Sequence, residues 1–274
     1  MSNLYVQALH IHPVKSVAGT APDEMAVEPW GLSGDRRWAL IDTEGTVITQ
    51  RQQPRLALAA ARPLEGGAVA LSAPGMAELA VEVPEPGPLE PVTLFGKKIE
   101  TVVAASAAAD WFSAYLGVPA RLVHMDDPAV RRPVDPQYAL PGETVSLADG
   151  YPVLLTTLAS LDALNSLIAQ GDHPEEGPLP MNRFRPNVVV AGAEAWAEDG
   201  WRRIAIGDAV FRGARECGRC IVTTTDQATA ERGKEPLKTL ARHRRIGKSL
   251  AFGRQLVPVR TGTVRVGDEV RVLE

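Results

Sequence analysis

The chain has 274 residues, of which 45% are hydrophobic and 23% carry a charge, and its formal net charge is −4. This length suffices for one large domain or two of ordinary size, and the composition excludes a disordered or fibrous protein. The charge also argues against a general nucleic-acid or membrane-surface binder, whose affinity rests on a large basic patch. Any anion that the protein binds must therefore be held by local arginines and lysines.

The sequence predicts a cytoplasmic protein without a membrane partner. Residues 1–10 contain no basic region followed by an apolar run, so they do not resemble a secretory signal. No stretch approaches the ~20 apolar residues that cross a bilayer. In the cytoplasm, two cysteines three positions apart are expected to be catalytic, redox-active or metal-binding rather than structural.

Short alternating apolar segments dominate the first half of the chain. The first covers residues 4–13, and proline ends it because proline cannot donate to a sheet ladder. Further strand-like pieces follow at residues 25–29, 37–42, 46–50, 56–61, 68–72, 78–83, 91–95 and 99–104. A helix is predicted over residues 107–116, with Ser106 as its N-cap and Gly117 as its terminator. Many short strands with few helical periods predict an antiparallel sandwich or barrel.

The second half is predicted to be another strand-rich unit. Residues 126–142 carry four prolines and are typical of a surface connection, so we place the domain boundary between residues 122 and 123. The predicted helices cover residues 158–170, capped by Thr156 or Thr157, and residues 236–243. The predicted strands cover residues 187–191, 201–206, 209–215, 254–260, 263–266 and 269–273. The fold class is therefore mainly β (α+β), with units 1–122 and 123–274 and a few peripheral helices.

Both cysteines lie in residues 216–220, with Arg219 between them. A nearby guanidinium favours the thiolate, and such a sulfur can ligate a soft metal, attack an electrophile or form a disulfide. Dithiol exchange is disfavoured because residues 221–224 are β-branched and no helix follows directly. A zinc ribbon would need a second cysteine pair. Two interpretations stay open, namely two buried apolar cysteines or a single thiolate that serves an anionic ligand.

Basic and polar side chains stand where apolar runs meet loops, which suggests an anion site. They are Lys15 with Ser16, Arg36 with Arg37, Arg183, Arg185 with Asn187, and Arg219. Arginine forks match the geometry of phosphate, and hydroxyl and amide groups can bind the heteroatoms of a ring. Each residue alone is typical of a surface, and only their shared placement favours a common site. The nearby pair His10 and His12 lacks further ligands at zinc spacing and is interpreted as structural.

Six separated motifs resemble a known two-part family. Residues 13–16 (Pro-Val-Lys-Ser), 34–38 and 51–56 are similar to the N-terminal β-barrel domain that precedes MOSC domains. Residues 184–187 (Phe-Arg-Pro-Asn), 219–226 and 234–240 are similar to the MOSC domain, which is shared with the C-terminus of molybdenum cofactor sulfurase. The two-part arrangement resembles that of the mitochondrial amidoxime-reducing component and its bacterial relatives. The resemblance covers nearly the whole chain and implies an N-terminal β-barrel followed by a MOSC β-barrel.

The resemblance implies a molybdenum–molybdopterin cofactor, with Cys220 as catalytic residue and thiolate ligand of the metal. Lys15, Ser16 and Arg36 would hold the cofactor from the first domain, and Arg185, Asn187 and Arg219 from the second. A thiolate suits a metal that dithiolene sulfurs already bind, and arginines suit a terminal phosphate. Cys217 is expected to matter less, through packing or a modest influence on Cys220.

The family's reaction is the two-electron reduction of small N-hydroxylated compounds such as amidoximes and hydroxylamines. The resemblance therefore implies a molybdenum-dependent oxidoreductase. No cysteine follows Cys220 that could hold an iron–sulfur centre, so we expect electrons from a separate donor protein, of a ferredoxin- or cytochrome-type reductase system. The alternatives are a sulfur carrier or cofactor-handling protein with a persulfide on Cys220, and a module that only binds the cofactor. No nucleic-acid partner is expected.

Overall fold

The structure, a computed structural model, describes residues 3–274. The strands in this part of the chain are β1 (Tyr5–Leu9), β2 (Glu24–Glu28), β3 (Gly31–Leu32), β4 (Trp38–Ile41), β5 (Val47–Ile48), β6 (Ala60–Pro63), β7 (Val69–Ser72), β8 (Leu79–Val81), β9 (Glu90–Leu94), β10 (Lys97–Val103), β11 (Arg121–His124), β12 (Val153–Thr157), β13 (Val188–Ala191), β14 (Arg203–Ile206), β15 (Ala209–Gly218), β16 (Arg245–Ile246), β17 (Ser249–Arg260), β18 (Gly262–Arg265) and β19 (Val270–Val272). The α-helices of the same part are α1 (Ser106–Leu116), α2 (Pro128–Arg131), α3 (Leu158–Ala169) and α4 (Leu237–His243). The predicted mainly β class with a few helices is confirmed. Between residues 3 and 274, no helix is long and apolar enough to cross a membrane.

Seven strands form a nearly closed barrel. Their order is β1-β13-β12-β17-β15-β14-β19. The last strand returns to the first through a bridge between Tyr5 and Glu269 and a hydrogen bond of 2.9 Å from Val6 N to Asp268 O. Side chains alternate between the two faces of each strand, so the inward face can be apolar throughout. Phe211, for example, is fully buried in this core.

A second sheet of five strands curls on itself, in the order β5-β4-β11-β10-β9. Its edges meet at a bridge between Thr46 and Thr93. Helix α1 packs the fully buried Phe112 into the core of this half, where the ring lies edge-to-face against Trp111 at a centroid distance of 4.8 Å. The N-terminal half is therefore barrel-like, as the sequence predicts.

Strands from the two halves of the sequence pair with each other. The first strand, β1, pairs with β13, and Val6 lies opposite Val190. Near the C-terminus, β18 pairs with β2, and Val264 lies opposite Met25. Strand β11 crosses the predicted boundary and belongs to the five-stranded sheet. The division between residues 122 and 123 stays a prediction, but the sheets do not follow a single cut in the chain.

Two segments for which the sequence predicts no helix form 3-10 helices. The strand predicted over residues 56–61 is wrong in its first part, because a 3-10 helix occupies Pro54–Leu58 and β6 begins only at Ala60. Proline favours this because its ring fixes φ near the helical value. The apolar piece after Cys220 also forms a 3-10 helix, Ile221–Thr224.

The helix caps agree only partly with the sequence. Ser106 is not the N-cap of α1, because it lies inside the first turn and Ala105 holds the cap position without a side-chain bond. The predicted end of α1 is confirmed, since Gly117 is left-handed with φ 71°, a conformation that costs glycine little. The cap of α3 is also confirmed, because Thr157 Oγ1 accepts a hydrogen bond of 3.1 Å from Ser160 N.

Strands β12 and β13 are parallel, whereas β15, which leads to the cysteines, is antiparallel to its neighbours β14 and β17. Helix α3 connects them, as a parallel pair requires a crossover. Asn187 lies just before β13 and connects the start of this strand to Leu154 of β12. Its backbone N donates to Leu154 O at 2.8 Å, and its Oδ1 accepts from Leu154 N at 3.1 Å. A predicted site residue is thus part of the framework of the barrel.

We expect Phe252→Ala to lower the free energy of unfolding by about 3–5 kcal/mol, because it removes buried contacts and leaves a cavity. Phe252 is fully buried and stacks on Phe184 at a centroid distance of 3.9 Å. Chemical denaturation measures the change. The exposed Val130→Ala is the control and should change stability by less than about 0.5 kcal/mol. A Phe252→Ala loss as small as that of the control would contradict this packing.

Candidate functional site

One cleft brings all seven predicted site residues together. Lys15, Ser16 and Arg36 line it from the first half of the chain, and Arg185, Asn187, Arg219 and Cys220 line it from the second. Arg51, Asp149 and Cys217 line the same cleft. The residues come from loops that the pairing of β1 with β13 and of β12 with β13 holds close in space.

Three of these residues hold a left-handed backbone although they carry a Cβ atom. The φ angles are 68° for Ser16, 47° for Arg36 and 52° for Arg185. This conformation costs on the order of 1–3 kcal/mol per residue and persists only where surrounding contacts fix it. Backbone strain of this kind is typical of ligand sites, and here three instances lie around one cleft.

Arg36 is oriented by three neighbours. Its Nη1 donates to Asp35 Oδ2 at 2.5 Å and to Asn187 Oδ1 at 3.0 Å, and its Nη2 donates to Arg185 O at 3.1 Å. Asn187 Nδ2 donates to His10 O at 3.2 Å. Because the protein itself engages both ends of the Asn187 amide, this residue positions Arg36 and the strand ends.

A chain of polar contacts leads from Lys15 to Cys220. Lys15 Nζ donates to Leu147 O at 2.9 Å and to Asp149 Oδ1 at 2.5 Å. Arg51 Nη2 donates to Asp149 Oδ2 and to Cys220 Sγ, both at 3.2 Å. Burial opposes ionisation of Asp149, but the charges of Lys15 and Arg51 outweigh it and hold the pKa of this carboxyl below its usual range. Arg51 is thus the cation at the Cys220 sulfur.

Arg132 fixes the loop that carries Asp149. Its Nη1 donates to Ser146 O at 2.7 Å and to Ala148 O at 2.5 Å, and its Nη2 donates to Asp149 O at 2.9 Å. Burial lowers the pKa of Arg132 to about 10, although the charge of Asp149 opposes the shift. The segment that the sequence suggests to be a surface connection therefore contains a buried support for the cleft.

The two cysteines have different surroundings. Cys217 is buried, and its Sγ accepts hydrogen bonds from Arg219 Nη1 at 2.8 Å and from Gln255 Nε2 at 3.0 Å. Burial raises the pKa of the Cys217 thiol, and the charge of Arg219 only partly offsets this. Cys220 is half-buried and contacts Arg51. The cysteine that the sequence ranks first is therefore the more accessible one.

Arg51 and Asp149 have roles in the cleft that the sequence does not predict. Arg37 and Arg183, two basic residues that the sequence groups with the site, make contacts outside the cleft. Arg51 belongs to the motif at residues 51–56, so this signal could have identified it, whereas Asp149 lies in a turn without periodicity. Arg37 donates to Met125 O at 2.7 Å. Arg183 pairs with Asp226 at 2.9 Å and so supports the loop after Cys220.

The cleft carries more positive than negative charge. Its lining within residues 3–274 includes five cationic side chains, Lys15, Arg36, Arg51, Arg185 and Arg219. The carboxylates paired with them in this part of the chain are Asp35 and Asp149. Burial, followed by the charge of Arg36, lowers the pKa of Arg185 to about 9. Burial also lowers the pKa of Lys15 to about 8, despite Asp149.

These charges fit the cofactor that the resemblance implies. Buried cations with lowered pKa values are stabilised when an anion joins them, and arginine forks bind phosphate well. The half-buried Cys220 supplies a sulfur donor in the same cleft, as a soft metal requires. The residues present are therefore suited to a phosphorylated cofactor whose metal takes a thiolate ligand.

Comparisons with known proteins agree with this arrangement. Residues 3–119 match the MOSC N-terminal beta barrel domain, and residues 142–271 match the MOSC domain. Mitochondrial amidoxime-reducing component 1 of Homo sapiens is 35% identical, over 98% of this chain and 82% of that protein. Mitochondrial amidoxime reducing component 2 of Rattus norvegicus is 34% identical, over 97% and 82%. Molybdenum cofactor sulfurase of Oryza sativa is 29% identical, over 92% of this chain and 32% of that protein.

We expect inorganic phosphate to raise the melting temperature of the cofactor-free protein more than sodium chloride of equal ionic strength does, because the cleft has unbalanced positive charge. At about a hundred times the Kd, the added stability is about 2.7 kcal/mol. Thermal unfolding measures the effect. The Arg185→Gln protein should lose most of this rise in melting temperature. The Arg62→Gln protein should retain it, because Arg62 is exposed and lies outside the cleft. Equal phosphate effects in all three proteins would contradict an anion site at Arg185.

We expect the stability of the cofactor-free protein to rise with pH between 8 and 10.5, by up to about 3 kcal/mol from Lys15 alone. The pKa of Lys15 is about 8 in the folded protein and 10.5 ordinarily, so the unfolded chain binds more protons in this range. Unfolding free energies of the wild type and Lys15→Met across this range measure the difference. The exposed Lys97→Met should follow the wild type. Parallel curves for the wild type and Lys15→Met would show that Lys15 has no lowered pKa.

Proposed function

Because this chain belongs to the MOSC-domain family and aligns along nearly its whole length with mitochondrial amidoxime-reducing components, we propose that it is a molybdenum-cofactor oxidoreductase. Its substrates would be small N-hydroxylated compounds such as amidoximes and hydroxylamines. The observation that carries the proposal is the single cleft in which the half-buried Cys220 sulfur lies among five cationic side chains.

The cleft residues would divide the binding of the cofactor between them. Cys220 would provide the thiolate ligand of molybdenum, and a hydrogen bond from the Arg51 guanidinium stabilises negative charge on its sulfur. Lys15, Arg36, Arg185 and Arg219 would bind the phosphate and polar edges of the pterin, together with the hydroxyl of Ser16, while Asn187 keeps Arg36 in place. When bound, the cofactor supplies the two-electron chemistry, and the protein supplies orientation and access.

Lys15 would supply a proton to the reaction, and Asp149 would hold the charged ammonium in place. Reduction of an N–O bond to amine or amidine takes up two electrons and two protons and releases water. Lys15 holds a proton at Nζ with a pKa of about 8, which is close enough to neutrality for transfer. Asp149 Oδ1 accepts from this Nζ at 2.5 Å, and the Asp149 side chain is open to the cleft.

The electrons would come from a separate protein of a ferredoxin- or cytochrome-type reductase system. The chain contains two cysteines, and both line the cleft, so its 274 residues offer no cysteine set for an iron–sulfur centre. The cytoplasmic location stays a prediction.

A second candidate function is sulfur transfer during cofactor maturation, with a persulfide on Cys220. The similarity to molybdenum cofactor sulfurase of Oryza sativa and the accessibility of the Cys220 sulfur favour it. Mass spectrometry separates the two candidates. A sulfane sulfur on Cys220 that passes to an acceptor, in protein without pterin, would support the carrier.

We expect Cys220→Ser to abolish molybdenum binding without unfolding the protein, because it removes the only half-buried thiol of the cleft. The proteins are expressed in a host that makes molybdopterin, and molybdenum and the fluorescent oxidised pterin are measured. Cys217→Ser is the matched control and should keep most of the metal, because a serine oxygen can accept the bonds from Arg219 and Gln255.

Activity is then measured with an amidoxime and a chemical reductant. We expect turnover by the wild type and Cys217→Ser, and loss of at least about a hundredfold for Cys220→Ser. Wild-type molybdenum content in Cys220→Ser would refute the role of Cys220 as ligand. Full metal content without turnover of any amidoxime would instead indicate a module that only binds the cofactor.

A further inference from the structure

A phenylalanine occupies an unusual position in the hairpin between β9 and β10. Leu94 pairs with Lys97, so Phe95 and Gly96 form a two-residue turn. Both have positive φ, 50° for Phe95 and 77° for Gly96. Turns with positive φ at both central positions favour Asn, Asp or Gly, because a bulky side chain is strained there. The stability of the turn therefore does not explain why an aromatic residue occupies this position.

The Phe95 ring packs against two of the cations that line the cleft. The ring centroid is 4.9 Å from Arg51 Cζ and 5.4 Å from Lys15 Nζ, which are cation–π distances. Both cations line the cleft. Phe95 is nevertheless 54% exposed, so much of its surface is free to contact another molecule.

The Arg51 guanidinium lies between this ring and the Cys220 sulfur. Arg51 contacts the Phe95 ring through its guanidinium and donates from the same group to Cys220 Sγ at 3.2 Å. A small molecule whose polar group lies beside Cys220 would thus have its remaining part within reach of Phe95. An exposed aromatic ring favours planar aromatic partners, through apolar burial and through offset or edge-to-face packing.

We propose that Phe95 forms a subsite for an aromatic ring, so that the cleft binds aryl N-hydroxylated compounds more tightly than small aliphatic ones. The proposal rests on the proposed function, because it assigns the substrate class of the same cleft. Phe95 would act on binding and not on the reduction itself, since its ring carries no proton or electron to transfer. The neighbouring cations polarise the ring and fix its orientation.

The test compares two ligands on protein loaded with its cofactor. The Kd values of benzamidoxime and acetamidoxime are measured by calorimetry, without a reductant, for the wild type, Phe95→Asn and Phe95→Trp. Asparagine suits the turn, so Phe95→Asn should fold and melt at the wild-type temperature or above it. We expect it to weaken benzamidoxime binding by about 3- to 10-fold and acetamidoxime binding by less than about twofold. Phe95→Trp should keep the preference.

Leu140→Asn is the matched control, because Leu140 is also 54% exposed but has no ring that could pack against the cleft cations Lys15 and Arg51, as Phe95 does. It should leave both Kd values unchanged. If Phe95→Asn weakens the binding of both ligands equally, the subsite is overturned, since the substitution would then act on the whole cleft through Arg51. A wild type that binds the two ligands equally would also overturn it.

Turnover separates this proposal from the proposed function. If the wild type prefers benzamidoxime and loses the preference in Phe95→Asn, but reduces neither compound with a chemical reductant, the subsite stands and the reductase function fails. If both compounds are reduced and kcat/KM shows no dependence on residue 95, the function stands and the subsite fails.

Discussion

Unbalanced positive charge in a partly buried cleft is the constraint on which the site depends. The chain as a whole is negative, at −4, yet five cationic side chains line one cleft and are paired with only two carboxylates in the part of the chain that the structure describes. Desolvation makes this arrangement costly, as the lowered pKa values of Lys15 and Arg185 indicate. An anionic ligand removes most of that cost, so the cleft gains stability when it is filled.

The fold holds these charges in place through strands shared between the halves. Strand β1 comes from the start of the sequence but closes the barrel formed by the second half. Asn187 joins the two halves, since its amide contacts His10, Leu154 and Arg36. Such shared contacts explain how three residues keep a strained left-handed backbone, because a rigid surrounding is what maintains strain at a ligand site.

In the cysteine stretch, residues 216–220, side-chain contacts do not follow the order of the residues in the sequence. Arg219 is next to Cys220 in the chain, but its guanidinium bonds to Cys217. The cation at Cys220 is Arg51, which is 169 positions away. Because successive residues of an extended segment point in opposite directions, neighbours in sequence need not share a contact. The electrostatic state of Cys220 therefore depends on the loop that also supports Phe95.

The sequence by itself determined the mainly β class, the C-terminal end of α1, the N-cap of α3, and seven of the residues that line the cleft. These features rest on local chemistry, such as apolar alternation, the conformational freedom of Gly117 and motifs of a few residues. Only the tertiary structure decided the parallel pairing of β12 with β13, the place of β1 in the barrel, and the roles of Arg51, Asp149 and Phe95. Each of these depends on contacts between distant segments, and such contacts leave no period or spacing in the chain.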